Sequence, residues 1–171
     1  MKCKRILLVF WILLFFSAYS SAQSTLIQDI SSEISKSQLK NKVKKKGNDF
    51  YENIRKQLID MDSLNFLSYR DTVFFLETFE YETGITHGMI WNKHKSLAYQ
   101  YFHNKFNFNG PSLFDKKTVG LVEMWNIEKI KSYGEESKLI SPSLYFASRA
   151  IIKQKEISVD CIAFNEFYLS Q

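Results

Sequence analysis

The apolar positions along the chain change their spacing twice. Leu26, Ile27, Ile30 and Ile34 recur at three- and four-residue steps with polar residues between them, which is the spacing of one helix face. Phe50, Tyr51, Ile54, Leu58 and Met61 repeat it, and Gly47-Asn48 lies between the two stretches as a break. Ser24 stands where the first helix wants an N-cap. From Asp71 the period falls to two. Val73–Tyr81 is rich in Phe, Thr and Tyr and reads as a strand. Glu82-Thr83-Gly84 supplies a three-residue turn, with Gly84 free to take the left-handed conformation that closes it. Ile85–Asn92 is a second strand, Lys93-His94-Lys95 a second turn, and Ser96–Phe108 a third, longer strand ended by Asn109-Gly110-Pro111-Ser112.

After a loop over 112–117, Val119–Tyr133 returns to helical spacing, with Val122, Trp125 and Ile130 near one stripe and Gly134 as its stop. Leu144–Ile152 and Ile157–Leu169 are β-branched and aromatic on either side of Lys153-Gln154-Lys155-Glu156, the pattern of a closing hairpin. A helix through Ser143–Glu156 is the alternative for its first arm. The expected class is α+β: N-terminal helices and one later helix packed on an antiparallel sheet of about five strands, a three-stranded meander plus a C-terminal hairpin. The helical part spans 23–62, the meander 71–108, the later helix 118–134 and the hairpin 143–170, all in one domain without internal repeats.

The first 22 residues break from this pattern. Met1-Lys2-Cys3-Lys4-Arg5 is basic, Ile6–Phe16 is uninterrupted apolar, and Ser17–Ala22 is small and polar apart from Tyr19. These are the three parts of a secretory signal peptide. The peptidase wants small side chains one and three residues before the cut, and Ala22 with Ser20 meets that rule. Cutting after Ser21 would place Tyr19 in the small pocket, so cleavage is expected between Ala22 and Gln23. The alternative is an uncleaved anchor, but the apolar run falls short of the roughly 20 residues a spanning helix needs. No stable membrane span is expected once the signal is removed.

Cleavage changes the charge. The chain carries 23 basic and 18 acidic residues; without Lys2, Lys4 and Arg5 it keeps 20 basic residues, and the formal charge falls from +5 to +2. Nothing in that balance favours nucleic acid. The lysines at 36, 40, 42, 44, 45 and 46 form a run with no aromatic side chain interleaved for base stacking, which is the pattern of a solvated helix face and connector. The aromatic content of 16% and six Gly with two Pro describe a folded domain, not a disordered or low-complexity chain. Cys161 is the single cysteine of the mature chain, so no internal disulfide is available. Within the apolar run Ile157–Phe164 it reads as a small buried hydrophobe.

Phosphate-binding glycine loops, the helical zinc-protease motif, the serine nucleophile elbow and paired cysteine motifs are all absent from the sequence. His87, His94 and His103 all fall in the meander. With three-residue loops at both turns, Phe79 opposes His87, and His87 opposes Tyr101. Ile85 then opposes His103, and Glu77 becomes a diagonal neighbour of His87 roughly 7–8 Å away. Glu77, His87 and His103 are therefore candidate catalytic residues for acid–base work, and two His with one Glu is a conceivable zinc shell. The spacing is not that of a metal motif, so no metal and no cofactor are expected. The plainer reading makes His87 and Tyr101 core-edge residues and leaves His103 exposed. A loop longer or shorter by one residue at the second turn dissolves the set.

Trp91, Tyr99 and Tyr101, with Phe102 and with Trp125 nearby, are candidates for a ligand platform, against the alternative that they are core. Glu77 shares parity with Val73, Phe75 and Phe79, so its carboxylate needs either the sheet edge or a partner, and Arg149 offers the charge. With no catalytic motif in the sequence, the expected function is a non-enzymatic exported module in the periplasm or outside the cell. Its partner would be a protein or a small molecule of the envelope. The alternative is a small secreted hydrolase or metal-binding enzyme using the Glu/His cluster.

Overall fold

The computed structural model describes residues 26, 28–40, 50–58, 71–110, 112–125, 144–154 and 156–165. The expected signal peptide, the Ser24 cap, the lysines at 42–46, the apolar positions Ile27, Met61 and Ile130, the Gly134 stop and the hairpin beyond 165 lie outside these residues.

Among the described residues, three helices pack on a six-stranded antiparallel sheet. Residues 26 and 28–40 are helical (α1), followed by α2 over Phe50–Leu58. The strands are β1 (Thr72–Glu80), β2 (Ile85–Trp91), β3 (Ser96–Phe102), β4 (Lys105–Asn107), β5 (Leu144–Lys153) and β6 (Glu156–Asn165). The third helix, α3, spans Lys116–Met124 between β4 and β5. The sheet order is β4-β3-β2-β1-β5-β6, so the C-terminal hairpin docks on the free edge of β1 and puts β1 at the interior of the sheet. The first arm of that hairpin is strand, not helix.

The alternation of β1 explains why both faces of the sheet are covered. Val73, Phe75 and Glu77 point to one face and Phe74, Leu76 and Thr78 to the other, and β1 is buried over most of its length. On the first face, Leu26, Ile30 and Ile34 of α1 and Ile54 and Leu58 of α2 meet Val73, Phe75, Ile90, Tyr99 and Ile152. On the second, Val122 and Trp125 at the end of α3, with Phe114 before it, meet Leu76, Trp91, Tyr145, Ala147 and Phe164.

Four expectations are corrected. The long third strand is two strands, because His103 and Asn104 both take positive φ (48° and 59°) and reverse the chain in a two-residue turn. The later helix starts earlier, where the Asp115 carboxylate accepts the Thr118 N–H at 2.6 Å, and α3 ends at Met124, where Trp125 turns left-handed at φ 44°. Both meander turns hold four residues instead of three, since Glu80 pairs with Ile85 and Trp91 with Ser96. The first is closed by Gly84 N–H on Glu80 C=O at 2.8 Å with Gly84 at φ 70°; in the second, Asn92 Oδ1 accepts the N–H groups of His94 and Lys95 at 2.9 Å each. Each extra turn residue shifts the pairing by one and moves one set of side chains to the opposite face.

Candidate functional site

The longer turns decide the fate of the Glu77–His87–His103 set. His87 pairs with Thr78 on one side and Gln100 on the other, while Glu77 pairs with Gly88. Glu77 therefore points toward α1 and α2, His87 toward the α3 face, and His103 sits exposed in the β3–β4 turn with its ring against Phe102. The structure does not bring the three together, and among the described residues no three His, Cys, Asp or Glu side chains converge to hold a metal ion.

Glu77 has a partner, and it is not Arg149. Arg55 of α2 donates to Glu77 Oε2 at 2.5 Å, and both side chains are 1% exposed. The rest of the guanidinium is used as well: Nε donates to Ser31 Oγ at 3.1 Å and Nη2 to Ser35 Oγ at 3.2 Å, two hydroxyls one turn apart on α1. Tyr99 of β3 reaches over β2 and donates to Glu77 Oε1 at 3.5 Å. Its ring lies over Gly88, where a Cβ would come within 2.0 Å of it. Burial, then the Glu77 charge, pushes the Tyr99 hydroxyl well above its ordinary range, and burial does the same to Tyr51. The network pins both N-terminal helices to the sheet, and it is closed to solvent.

His87 lies at the other face, buried, with Nε2 3.4 Å from Glu80 Oε2. The Thr83 hydroxyl, 2.5 Å from the same oxygen, is the main cause holding the Glu80 carboxyl below its ordinary value, with His87 adding to it. His87 Nδ1 is buried without a hydrogen-bond partner among the described residues. Cys161 is half-buried; its Sγ is 3.2 Å from Ser148 Oγ, and burial pushes the thiol up, away from the reactive thiolate.

The aromatic candidates are divided in the same way. Tyr99 and Tyr101 belong to the core under α1 and α2, Trp91 and Trp125 to the core under α3, and all four are buried. No flat platform forms. Phe102 alone of the group is exposed.

A cleft of about 620 Å³ opens where β1 begins and β2 and β5 end, on the α3 side. Phe74 and Ile151 form its apolar part, and Asp71, Asn92, Lys93, Glu123 and Lys153 its polar surround. Its mounts are fixed. Phe74 stacks on Trp91 with ring centroids 5.4 Å apart, and Trp91 Nε1 donates to Glu123 Oε1 at 3.0 Å. Asp71 accepts from Thr72 N at 2.9 Å and from Asn92 Nδ2 at 2.6 Å, and its C=O takes the Ile152 N–H at 2.8 Å. Lys93 stands on the turn that Asn92 closes. Beside the cleft, Arg149 pairs across the sheet with Phe74, bonds Asp160 at 2.7 Å and lies over the Trp125 ring at 5.0 Å.

Sequence reading found none of this as a site, although each part left a trace. Arg55 is flanked by Ile54 and Leu58 on the apolar stripe of α2, and Ser31 and Ser35 follow the stripe of α1. The cleft needs the docking of β5 beside β1, which local spacing does not encode. No family model, no curated protein and no solved structure matches the chain.

Proposed function

We propose that this chain is an exported binding module that takes a small ligand in the cleft between α3 and the start of β1. The observation that carries this reading is the contrast between the Arg55–Glu77 network and the cleft. Arg55 and Glu77 are saturated by each other, by Ser31 and Ser35 and by Tyr99, and no ligand reaches them. The cleft instead offers an apolar floor with charged side chains standing around it, and its volume falls in the range of small-molecule sites, about 300–1,000 Å³. Export rests on the N-terminal pattern, with removal of residues 1–22. No helix among the described residues is long and apolar enough to cross a membrane, which is compatible with release after cleavage.

The test is a titration of the protein recovered from cells expressing the full chain, with a small-molecule fragment library read by amide and indole NMR shifts. The expected result is a set of fragments that perturb Phe74, Trp91, Lys93, Glu123 and Ile151 together. A library that perturbs other surfaces and leaves these five unmoved overturns the reading.

A further inference from the structure

The polar surround of the cleft carries more information than its presence. Lys93 and Lys153 are exposed and make no hydrogen bond or ion pair among the described residues. Facing the same space are Glu123, which gives one carboxylate oxygen to the Trp91 indole, and Asp71, whose two oxygens are taken by Thr72 N and Asn92 Nδ2. The four side chains are two cations and two anions, so the surround is formally neutral but strongly mixed in sign. A simple organic anion gains the lysines and is opposed by both carboxylates, and a simple cation meets the reverse. A ligand carrying both signs is opposed by neither, and this kind of sign matching sets specificity at charged sites.

From this arrangement we propose that the cleft recognises an apolar amino acid in its zwitterionic form. The proposal rests on the reading of the cleft as a ligand site. The ligand carboxylate faces Lys93 and Lys153, its ammonium faces the free oxygen of Glu123, and its side chain lies on Phe74 and Ile151. Asp71, whose two oxygens already accept from Thr72 N and Asn92 Nδ2, contributes mainly field. The mounts are preorganised: Lys93 rides on the turn closed by Asn92, and Glu123 is held from behind by Trp91. Less ordering is then needed on binding, which favours affinity for a small ligand.

The probes are L-phenylalanine, N-acetyl-L-phenylalanine, which keeps only the negative charge, and L-phenylalaninamide, which keeps only the positive one. Each is titrated into the exported protein with tryptophan fluorescence as the readout, since Trp91 stacks on the floor residue Phe74. The expected result is saturable binding of L-phenylalanine, with each blocked form weaker by about tenfold, the size of one lost charge contact. The Lys93→Ala/Lys153→Ala double variant should bind L-phenylalanine and L-phenylalaninamide alike. Glu123→Gln, which keeps an acceptor for the Trp91 indole, should erase the discrimination against N-acetyl-L-phenylalanine. Thermal melts of both variants check that they fold. If N-acetyl-L-phenylalanine binds as tightly as the free amino acid, the site is an anion site and the zwitterion proposal is overturned while the cleft reading stands. If none of the three probes binds but library fragments still shift the cleft residues, the proposal again fails alone. The reading of the cleft itself falls only when the fragments fail too.

Discussion

At the residue scale the most consequential interaction is the ion pair between Arg55 and Glu77. Its position follows from alternation. Glu77 faces the α1–α2 core because β1 does, and a carboxylate there must be paired and hydrogen-bonded to be tolerated. The pair need not add stability over an apolar pair of the same shape, but breaking it strands a charge. Arg55→Met leaves the buried Glu77 carboxylate without its guanidinium, and should cost about 3–5 kcal/mol in urea unfolding. The double variant Arg55→Met/Glu77→Leu should lose distinctly less than the single one. The Ser31 and Ser35 hydroxyls lose Arg55 in both variants, so the difference between the two reports mainly the stranded Glu77 charge, less what the Tyr99 hydroxyl loses with its acceptor. A double variant that costs the sum of Arg55→Met and Glu77→Leu measured singly would mean that the two side chains are not energetically coupled.

At the scale of elements, α3 depends on its first turn. The Asp115 carboxylate accepts the Thr118 N–H, and that bond is the main reason its pKa lies below the ordinary 3.8. Asp115→Ala should lower stability at neutral pH by about 0.5–2 kcal/mol. A depressed native pKa contributes stability that is fully present above the unfolded value. That contribution is lost as pH falls through the native value. The gap between wild type and Asp115→Ala should therefore be full at pH 7 and shrink below about pH 3.8, as denaturant midpoints across that range would reveal. A constant gap down to pH 2 would assign the effect to packing instead of the cap. Elements of this size were legible where periodicity was strong: β1, β2 and the two arms of the hairpin begin and end within a few residues of their expected bounds, apart from the end of the last arm, which lies outside the described residues. The turns were not legible, because three- and four-residue loops differ by hydrogen bonds from Thr83, Gly84 and Asn92 that composition does not reveal. That single residue per turn placed His87 opposite Gln100 instead of Tyr101 and separated it from Glu77. The partner of Glu77 was missed for a related reason. Its parity demanded a cation, but only the packing of α2 on β1 selects Arg55 over Arg149.

At the scale of the whole molecule, the sheet is sandwiched: the N-terminal helices cover one face and α3 with its flanking aromatics the other. The N-terminal helices are thus part of the core, and this bears on where an export signal can be cut. Leu26 is 1% exposed and Ile30 0%, so the helical face begins within a few residues of the proposed junction between Ala22 and Gln23. A cut there spares every described contact of α1. A cut ten residues later would remove Leu26, Ile30 and the Ser31 hydroxyl that holds Arg55. Cleavage at the proposed junction should therefore leave an N-terminal peptide beginning at Gln23, which mass mapping of the recovered protein would show, and a chain beginning at Gln23 should unfold at the same denaturant concentration as that product. A chain beginning at Glu33 should be destabilised by more than about 4 kcal/mol, since each buried Leu or Ile lost costs about 2–5 kcal/mol, and should fail to accumulate as folded monomer. Full-length protein retained in the membrane after a salt wash would refute cleavage. Equal stability of the Gln23 and Glu33 chains would refute the assignment of Leu26 and Ile30 to the core.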